Sequence, residues 1–164
     1  MKQVFVIRHG KSSWENPLWK DIERPLLKKG VKRTKRVGKF LRAAGFKPDL
    51  ILTSPAKRAR MTARILRDLW NEDIPLRKED IIYYGDSDDL DTLLYGLDDS
   101  VNTVFIVGHN PDLTDWVNRY KRPSIWNLPT SGAFGVKFYA DSWEDLPLAP
   151  FEEIVYVEPK MLKK

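Results

Sequence analysis

Apolar residues along this chain alternate between two spacings. The continuous runs Val4-Phe5-Val6-Ile7, Leu50-Ile51-Leu52 (within Asp49–Leu52) and Val104-Phe105-Ile106-Val107 are short and rich in β-branched or aromatic residues, as in strands buried on both faces. Between them the spacing becomes helical. Leu26 to Ala44 places Leu27, Val31, Val37, Leu41 and Ala44 on one side, and Gly45 supplies a C-terminal stop. Thr53-Ser54-Pro55 predicts a helix start, with Ser54 as N-cap and Pro55 as first residue; Ala59, Ala63, Leu66 and Trp70 share one face to about Trp70. Ile81–Tyr84 reads as a further strand. Ser87 is expected to cap a helix carrying Leu90, Leu93, Leu94 and Leu97, and Asn110-Pro111 to open one running through Tyr120. Residues 10–25 and 121–132 read as loops, and Phe134–Tyr139 and Ile154–Val157 as terminal strands.

Strands that alternate with helices argue an α/β fold: a three-layer α/β/α sandwich around a mainly parallel sheet. The 164 residues predict a single domain over 1–164, with no internal repeat or linker. In such sheets ligands bind beyond the carboxyl ends of the strands. Arg8-His9-Gly10, Thr53-Ser54 and His109-Asn110 each follow a strand, so the architecture gathers three distant segments in one place.

Charge and composition narrow the partners. No apolar stretch approaches membrane-spanning length, no signal-peptide pattern opens the chain, and cysteine is absent; the expected location is cytoplasmic, with no membrane partner. The net charge is +5, and much of the excess lies in Lys28, Lys29, Lys32, Arg33, Lys35, Arg36, Lys39 and Arg42 on the outer face of the first helix. Such a face is either simply solvated or a docking surface for an acidic protein on helix 27–44; nucleic acid is the weaker candidate. Trp14, Trp19, Trp126 and Trp143 fall in loops, where they wall a cleft or cap core edges.

The residues at the strand ends carry the chemistry. Arg8 offers a guanidinium fork to an anion, His9 an imidazole that can attack phosphorus or move a proton, and Gly10 room for the backbone to approach a ligand. His109 is the second of only two histidines. Arg58, four residues after Ser54, is within reach of the same pocket. Two guanidinium groups and two imidazoles suit a phosphoryl group better than a carboxylate. Asp86, Asp88, Asp89 and Asp91 have no nearby His or Cys and read as complementing a helix N-terminus rather than as a cation site.

At these residues the sequence resembles the histidine phosphatase superfamily, whose fold is that of phosphoglycerate mutase. Arg8-His9-Gly10 matches the nucleophile motif, Ser54-Pro55-Ala56-Lys57-Arg58-Ala59 with Thr62-Ala63 the second, and Gly108-His109-Asn110-Pro111 the third. Arg24-Pro25-Leu26 with Gly30 resembles a further family stretch. Lys11-Ser12-Ser13-Trp14, Asn127-Leu128-Pro129-Thr130-Ser131-Gly132 and the short length are similar to the SixA-type phosphohistidine phosphatase branch. The resemblance implies that His9 is a nucleophile that becomes phosphorylated, that Arg8, Arg58 and His109 hold the phosphoryl oxygens, and that Gly10, Ser12, Arg24 and Asn110 bind substrate, with no cofactor and no metal. The segment in which larger members carry a carboxylate general acid is short here, leaving Asp86 as the one candidate; Met61 stands where the family usually has Gln.

The expectation is a phosphatase for protein phosphohistidine. Alternatives are a small-molecule phosphomonoesterase on the same machinery and a non-catalytic phosphate- or nucleic-acid-binding module; a mutase fits less well, because so short a chain has little room for a lid.

Overall fold

The computed structural model describes residues 1–163. Among these, six strands form one sheet: β1 (Lys2–Arg8), β2 (Leu50–Thr53), β3 (Leu76–Lys78), β4 (Thr103–Gly108), β5 (Ala133–Phe138) and β6 (Phe151–Val157), in the order β3-β2-β4-β1-β5-β6. β1 and β2 both pair parallel with β4, and β2 parallel with β3. Only β5 runs the other way, antiparallel to both β1 and β6. The helices are α1 (Lys28–Ala43), α2 (Lys57–Arg67), α3 (Ile81–Tyr84), α4 (Ser87–Tyr95) and α5 (Asp112–Val117).

The period-two alternation of the central strands fills both faces. Val4, Val6, Leu52, Val104 and Ile106 pack with Leu90 and Leu94 of α4 and Leu113 and Trp116 of α5. Phe5, Ile7, Ile51, Phe105 and Val107 pack on the other side with Val37 and Leu41 of α1 and Ala59, Ala63 and Leu66 of α2. The three-layer α/β/α sandwich therefore follows from strands that are apolar on both faces.

Several boundaries depart from the sequence pattern. Ile81–Tyr84 is a helical turn, not a strand; the strand of that region is the charged Leu76-Arg77-Lys78 at the sheet edge, paired with β2. The Asp80 carbonyl accepts from the Tyr83 and Tyr84 N–H groups, and Gly85 ends the turn. A four-residue apolar run fits either structure by periodicity alone, and here pairing with β2 is taken by the preceding residues. α2 begins at Lys57 after an Ala56 N-cap; Ser54 instead accepts from the Ala56 N–H at 3.1 Å, two residues earlier. α4 is capped by Asp86 rather than Ser87, and α5 ends at Val117, before Tyr120. Gly45 does terminate α1, in the left-handed region at φ 92°, where a side chain would be strained.

β4 inserts between β1 and β2, with Arg8 level with Gly108 and Thr53 level with Val107. The three strand ends are thereby set side by side at one edge of the sheet.

Candidate active site

His9 is the first residue past β1. Its N–H donates to the Gly108 carbonyl at 3.0 Å, which seats it against the end of β4. The ring Nδ1 lies 2.7 Å from the Gly10 carbonyl oxygen. A carbonyl only accepts, so Nδ1 carries the proton and the Nε2 lone pair is left free. Burial, together with the charges of Arg58 and Arg8, lowers the pKa of His9 to about 3, so the ring is neutral near pH 7.

His109 leaves β4 beside it, the two ring centroids 5.1 Å apart. Its Nδ1 lies 3.5 Å from the Arg58 guanidinium, which can only donate; the opposite nitrogen therefore carries the proton and donates to Ser54 Oγ at 2.7 Å. Burial and then the Arg58 charge lower its pKa to about 4. Tyr83 packs edge-on against this ring, centroid to centroid 5.4 Å.

Two guanidinium groups, that of buried Arg58 and that of half-buried Arg8, complete the centre. Arg8 Nη1 donates to the Leu128 carbonyl at 3.1 Å. Arg58 Nη1 and Nη2 donate to the carbonyl oxygen and the Oδ2 of Asp21, at 2.7 and 2.9 Å. The Nε groups of both arginines are buried with no partner among the described residues. A buried N–H without an acceptor is costly, so an anion able to reach it would be favoured. Arg8, His9, Arg58 and His109 line one cavity of about 410 Å³.

Asp21 sits in a 3-10 turn, Asp21–Glu23, inside the segment read as loop. Besides Arg58, its carboxylate accepts from Arg24 Nε and Nη2 at 3.2 and 3.1 Å and from the Tyr83 hydroxyl at 2.7 Å. Burial alone would raise its pKa, but the Tyr83 and Arg58 hydrogen bonds outweigh it and hold the carboxyl at about 2. Asp21 and Tyr83 are the site residues that sequence reasoning missed. Arg24 three residues after Asp21 was the only signal for the first; the second was hidden by reading residues 81–84 as a strand.

The other expected residues divide. Ser12 and Arg24 line the cavity and are bonded to each other at 2.7 Å, with the Trp14 ring 3.6 Å from the Arg24 guanidinium carbon. Asn110 lines it too, but its amide donates to Asn127 and Leu128 and its oxygen accepts from Thr114. Gly10 is buried against α1: a Cβ there would come within 2.9 Å of Thr34 Oγ1 and 3.0 Å of the Gly30 carbonyl oxygen. The glycine is therefore required by packing on α1, and it is not among the residues lining the cavity. Asp86 does not line the cavity; its Oδ1 accepts from the Asp88 and Asp89 N–H groups as the cap of α4. The rest of the acidic stretch is similarly occupied, Asp91 by Trp116 and Arg119, and Asp88 by Arg119.

The chain has relatives both in sequence and in fold. Residues 4–82 match the model of the histidine phosphatase superfamily (branch 1). An uncharacterized protein of Picosynechococcus sp. is 32% identical over 139 residues, 82% of this chain and 84% of the relative. The chain also matches phosphoglycerate mutases, spanning less than half their length: 46% for that of Bartonella quintana, at 38% identity over 97 residues, 56% of this chain. Among solved structures, a SixA protein from Agrobacterium tumefaciens superposes with TM-score 0.82 at 24% identity, over 96% of this chain and 98% of that one. The protein histidine phosphatase SixA complexed with tungstate does so with TM-score 0.83 at 22% identity, over 98% and 99%. The chain belongs to the histidine phosphatase superfamily, and its fold is the one these SixA structures share.

Proposed function

We propose that this protein, as a single domain, is a phosphatase that removes the phosphoryl group of protein phosphohistidine through a covalent phosphohistidine on His9. The observation that carries this reading is the composition of the cavity wall. It presents one free, neutral imidazole nitrogen and cationic groups, and no Asp or Glu among its described residues. A nucleophile and an oxyanion cradle are present, then, without a carboxylic acid to protonate a leaving group. Alkoxides need such a proton, whereas the imidazole of phosphohistidine leaves well, its conjugate acid having a pKa of about 6.5. The tungstate complex of a SixA relative supports the same assignment, tungstate being an oxyanion of phosphate's shape.

The chemistry closes in two displacements. His9 Nε2 attacks phosphorus while the bond from phosphorus to the substrate imidazole breaks; that ring, already protonated on its other nitrogen, keeps the electron pair and departs as neutral imidazole. Arg8 and Arg58 donate to the equatorial oxygens, where charge develops, and His109 joins them once the negative charge of the arriving phosphoryl group favours its protonation. Water then attacks the phosphorus on His9, the bond to Nε2 breaks, and inorganic phosphate leaves. The positive charge is supplied by side chains, so turnover is expected to survive EDTA, without metal or cofactor. An acidic protein docking on the basic face of α1 belongs to the same proposal, as does a cytoplasmic location for a chain without cysteine. No described helix is long and apolar enough to cross a membrane.

The test is a rapid-quench experiment with a phosphohistidine peptide labelled at phosphorus. The label should appear on His9 as an acid-labile, base-stable adduct before phosphate is released. A series of phosphate monoesters of graded leaving-group pKa should show a steep fall in rate as that pKa rises, with Asp86→Asn having little effect. A flat series in the wild type that steepens in Asp86→Asn would instead identify a general acid and favour a small-molecule phosphomonoesterase.

A further inference from the structure

A second cavity, of about 260 Å³, lies beside the catalytic one. It is lined by Arg33 and Arg36 of α1, by Pro129 and Thr130, and by Lys160 of the C-terminal 3-10 turn (Pro159–Leu162) with Lys163 just after it. Thr130 also lines the catalytic cavity, so the two are about one residue apart. We infer that this second cavity is an acid-recognition subsite, taking a carboxylate side chain of the substrate protein while its phosphohistidine occupies the catalytic cavity. This rests on the phosphohistidine reading above, and it narrows the basic face of α1 to one place.

The first argument is charge left unanswered. Four cations line the cavity against one anion, Glu158. That carboxylate already accepts from the Tyr156 hydroxyl at 2.5 Å and pairs with Lys160 at 3.4 Å. Arg33, Arg36 and Lys163 form no ion pair among the described residues. The second is burial. Of the eight Lys and Arg residues between 28 and 42, only Arg33 and Arg36 are half-buried; the other six are exposed. Solvated lysines gain little from a partner. A guanidinium that has given up part of its hydration without a bond gains more, and its planar fork matches a carboxylate.

The third argument is position. The Ser131 N–H donates to the carbonyls of Arg8 and His9 at 3.0 and 3.2 Å, and the Ser131 hydroxyl is 2.8 Å from Thr34 Oγ1 of α1. Ser131 holds a left-handed φ of 61°, so the loop carrying Thr130 is fixed between α1 and the nucleophile. Lys11 lines the catalytic cavity, and Lys29 of α1 feels the positive charges of both Lys11 and Arg33. The fourth is size. Pockets for whole small molecules hold about 300–1,000 Å³; this one is smaller and suits a side chain.

Two measurements test the inference. The first is binding of fluorescein-labelled hexaglutamate by anisotropy at low salt. Arg33→Gln/Arg36→Gln should weaken it about tenfold, as expected for lost charge-assisted contacts. The surface variant Lys160→Gln/Lys163→Gln should weaken it a few-fold, and Lys28→Gln/Lys32→Gln, on the solvated face, less than twofold. No binding to the wild type, or equal losses in all three variants, overturns the subsite in favour of none or of diffuse attraction. The second is the ratio of kcat/KM for a phosphohistidine peptide with flanking Glu to that for its Gln counterpart. The ratio should fall about tenfold in Arg33→Gln/Arg36→Gln; an unchanged ratio means the substrate does not use the subsite. If neither peptide is turned over while an aryl phosphate is, the phosphohistidine reading has failed, and the hexaglutamate pattern alone decides the subsite.

Discussion

At the end of β1 one imidazole nitrogen is committed to a carbonyl and the other is free, and the proposed chemistry depends on that asymmetry. His9→Ala should leave a folded protein whose kcat falls by several orders of magnitude, because a covalent route is lost rather than a contact weakened. Steady-state turnover with circular dichroism as the folding control checks this; near-normal kcat would remove the covalent mechanism. Asp21 acts one step further out. It holds Arg58 by two bonds and Arg24 by two more, so it fixes where the guanidinium edges point. Asp21→Ala should lower kcat/KM by roughly tenfold to a hundredfold, the scale expected when a catalytic group is misplaced by a fraction of an ångström to an ångström. Asp21→Asn, which keeps an acceptor, should recover part of that loss. An equal loss in both variants would point to the charge of Asp21 rather than to its geometry.

Among the elements, α1 bears on the site through its absence of side chains. A Cβ on Gly30 would stand 2.3 Å from the Lys11 carbonyl oxygen, and that oxygen accepts from the Leu27 N–H at 2.9 Å. The nucleophile loop therefore lies directly on the helix. Gly30→Ala gains helix propensity but forces backbone apart, and overpacking of this kind costs about 1–3 kcal/mol. A lower urea midpoint and a raised KM are expected together. A stabilised protein with unchanged kinetics would show that the loop can yield. α3 illustrates the limits of pattern. Ile81-Ile82-Tyr83-Tyr84 has the composition of a strand, yet as a helical turn it buries Ile82 against α4's cluster and sets Tyr83 on Asp21 and His109. Nothing local distinguishes these outcomes; the edge position beside β2 was already filled by Leu76–Lys78.

For the whole molecule, the neutral histidines, His9 buried and His109 half-buried, couple the site to stability. Folded His9 and His109 titrate at about 3 and about 4, whereas an unfolded histidine does so at about 6.5. Between these values the unfolded chain binds protons that the folded one excludes, so stability is present above about pH 6.5 and is lost as pH falls toward 4 and 3. Asp21, held at about 2, adds stability that is fully present above the ordinary carboxylate range and is lost only as pH falls from 3.8 toward 2. The urea midpoint should be higher at pH 7.5 than at pH 4.5, with a smaller difference in His9→Asn/His109→Asn. An undiminished difference would mean that other groups carry it. The sequence by itself determined the sandwich and pointed to seven of the residues that line the cavity. Uninterrupted apolar strands have to be covered on both faces, and residues following such strands must meet at the carboxyl edge; Arg8, His9, Arg58 and His109 do meet in one cavity. Only the tertiary structure decided what holds them. Asp21 lies 37 residues from Arg58 and 62 from Tyr83, and no local period links such positions. The same is true of the cavity between Arg33 and Lys160, which exists because the C-terminal turn packs Leu162 against the Val37 and Leu41 side of α1. Periodicity reports which face of an element is buried; which polar groups meet across elements is set by the packing of those faces.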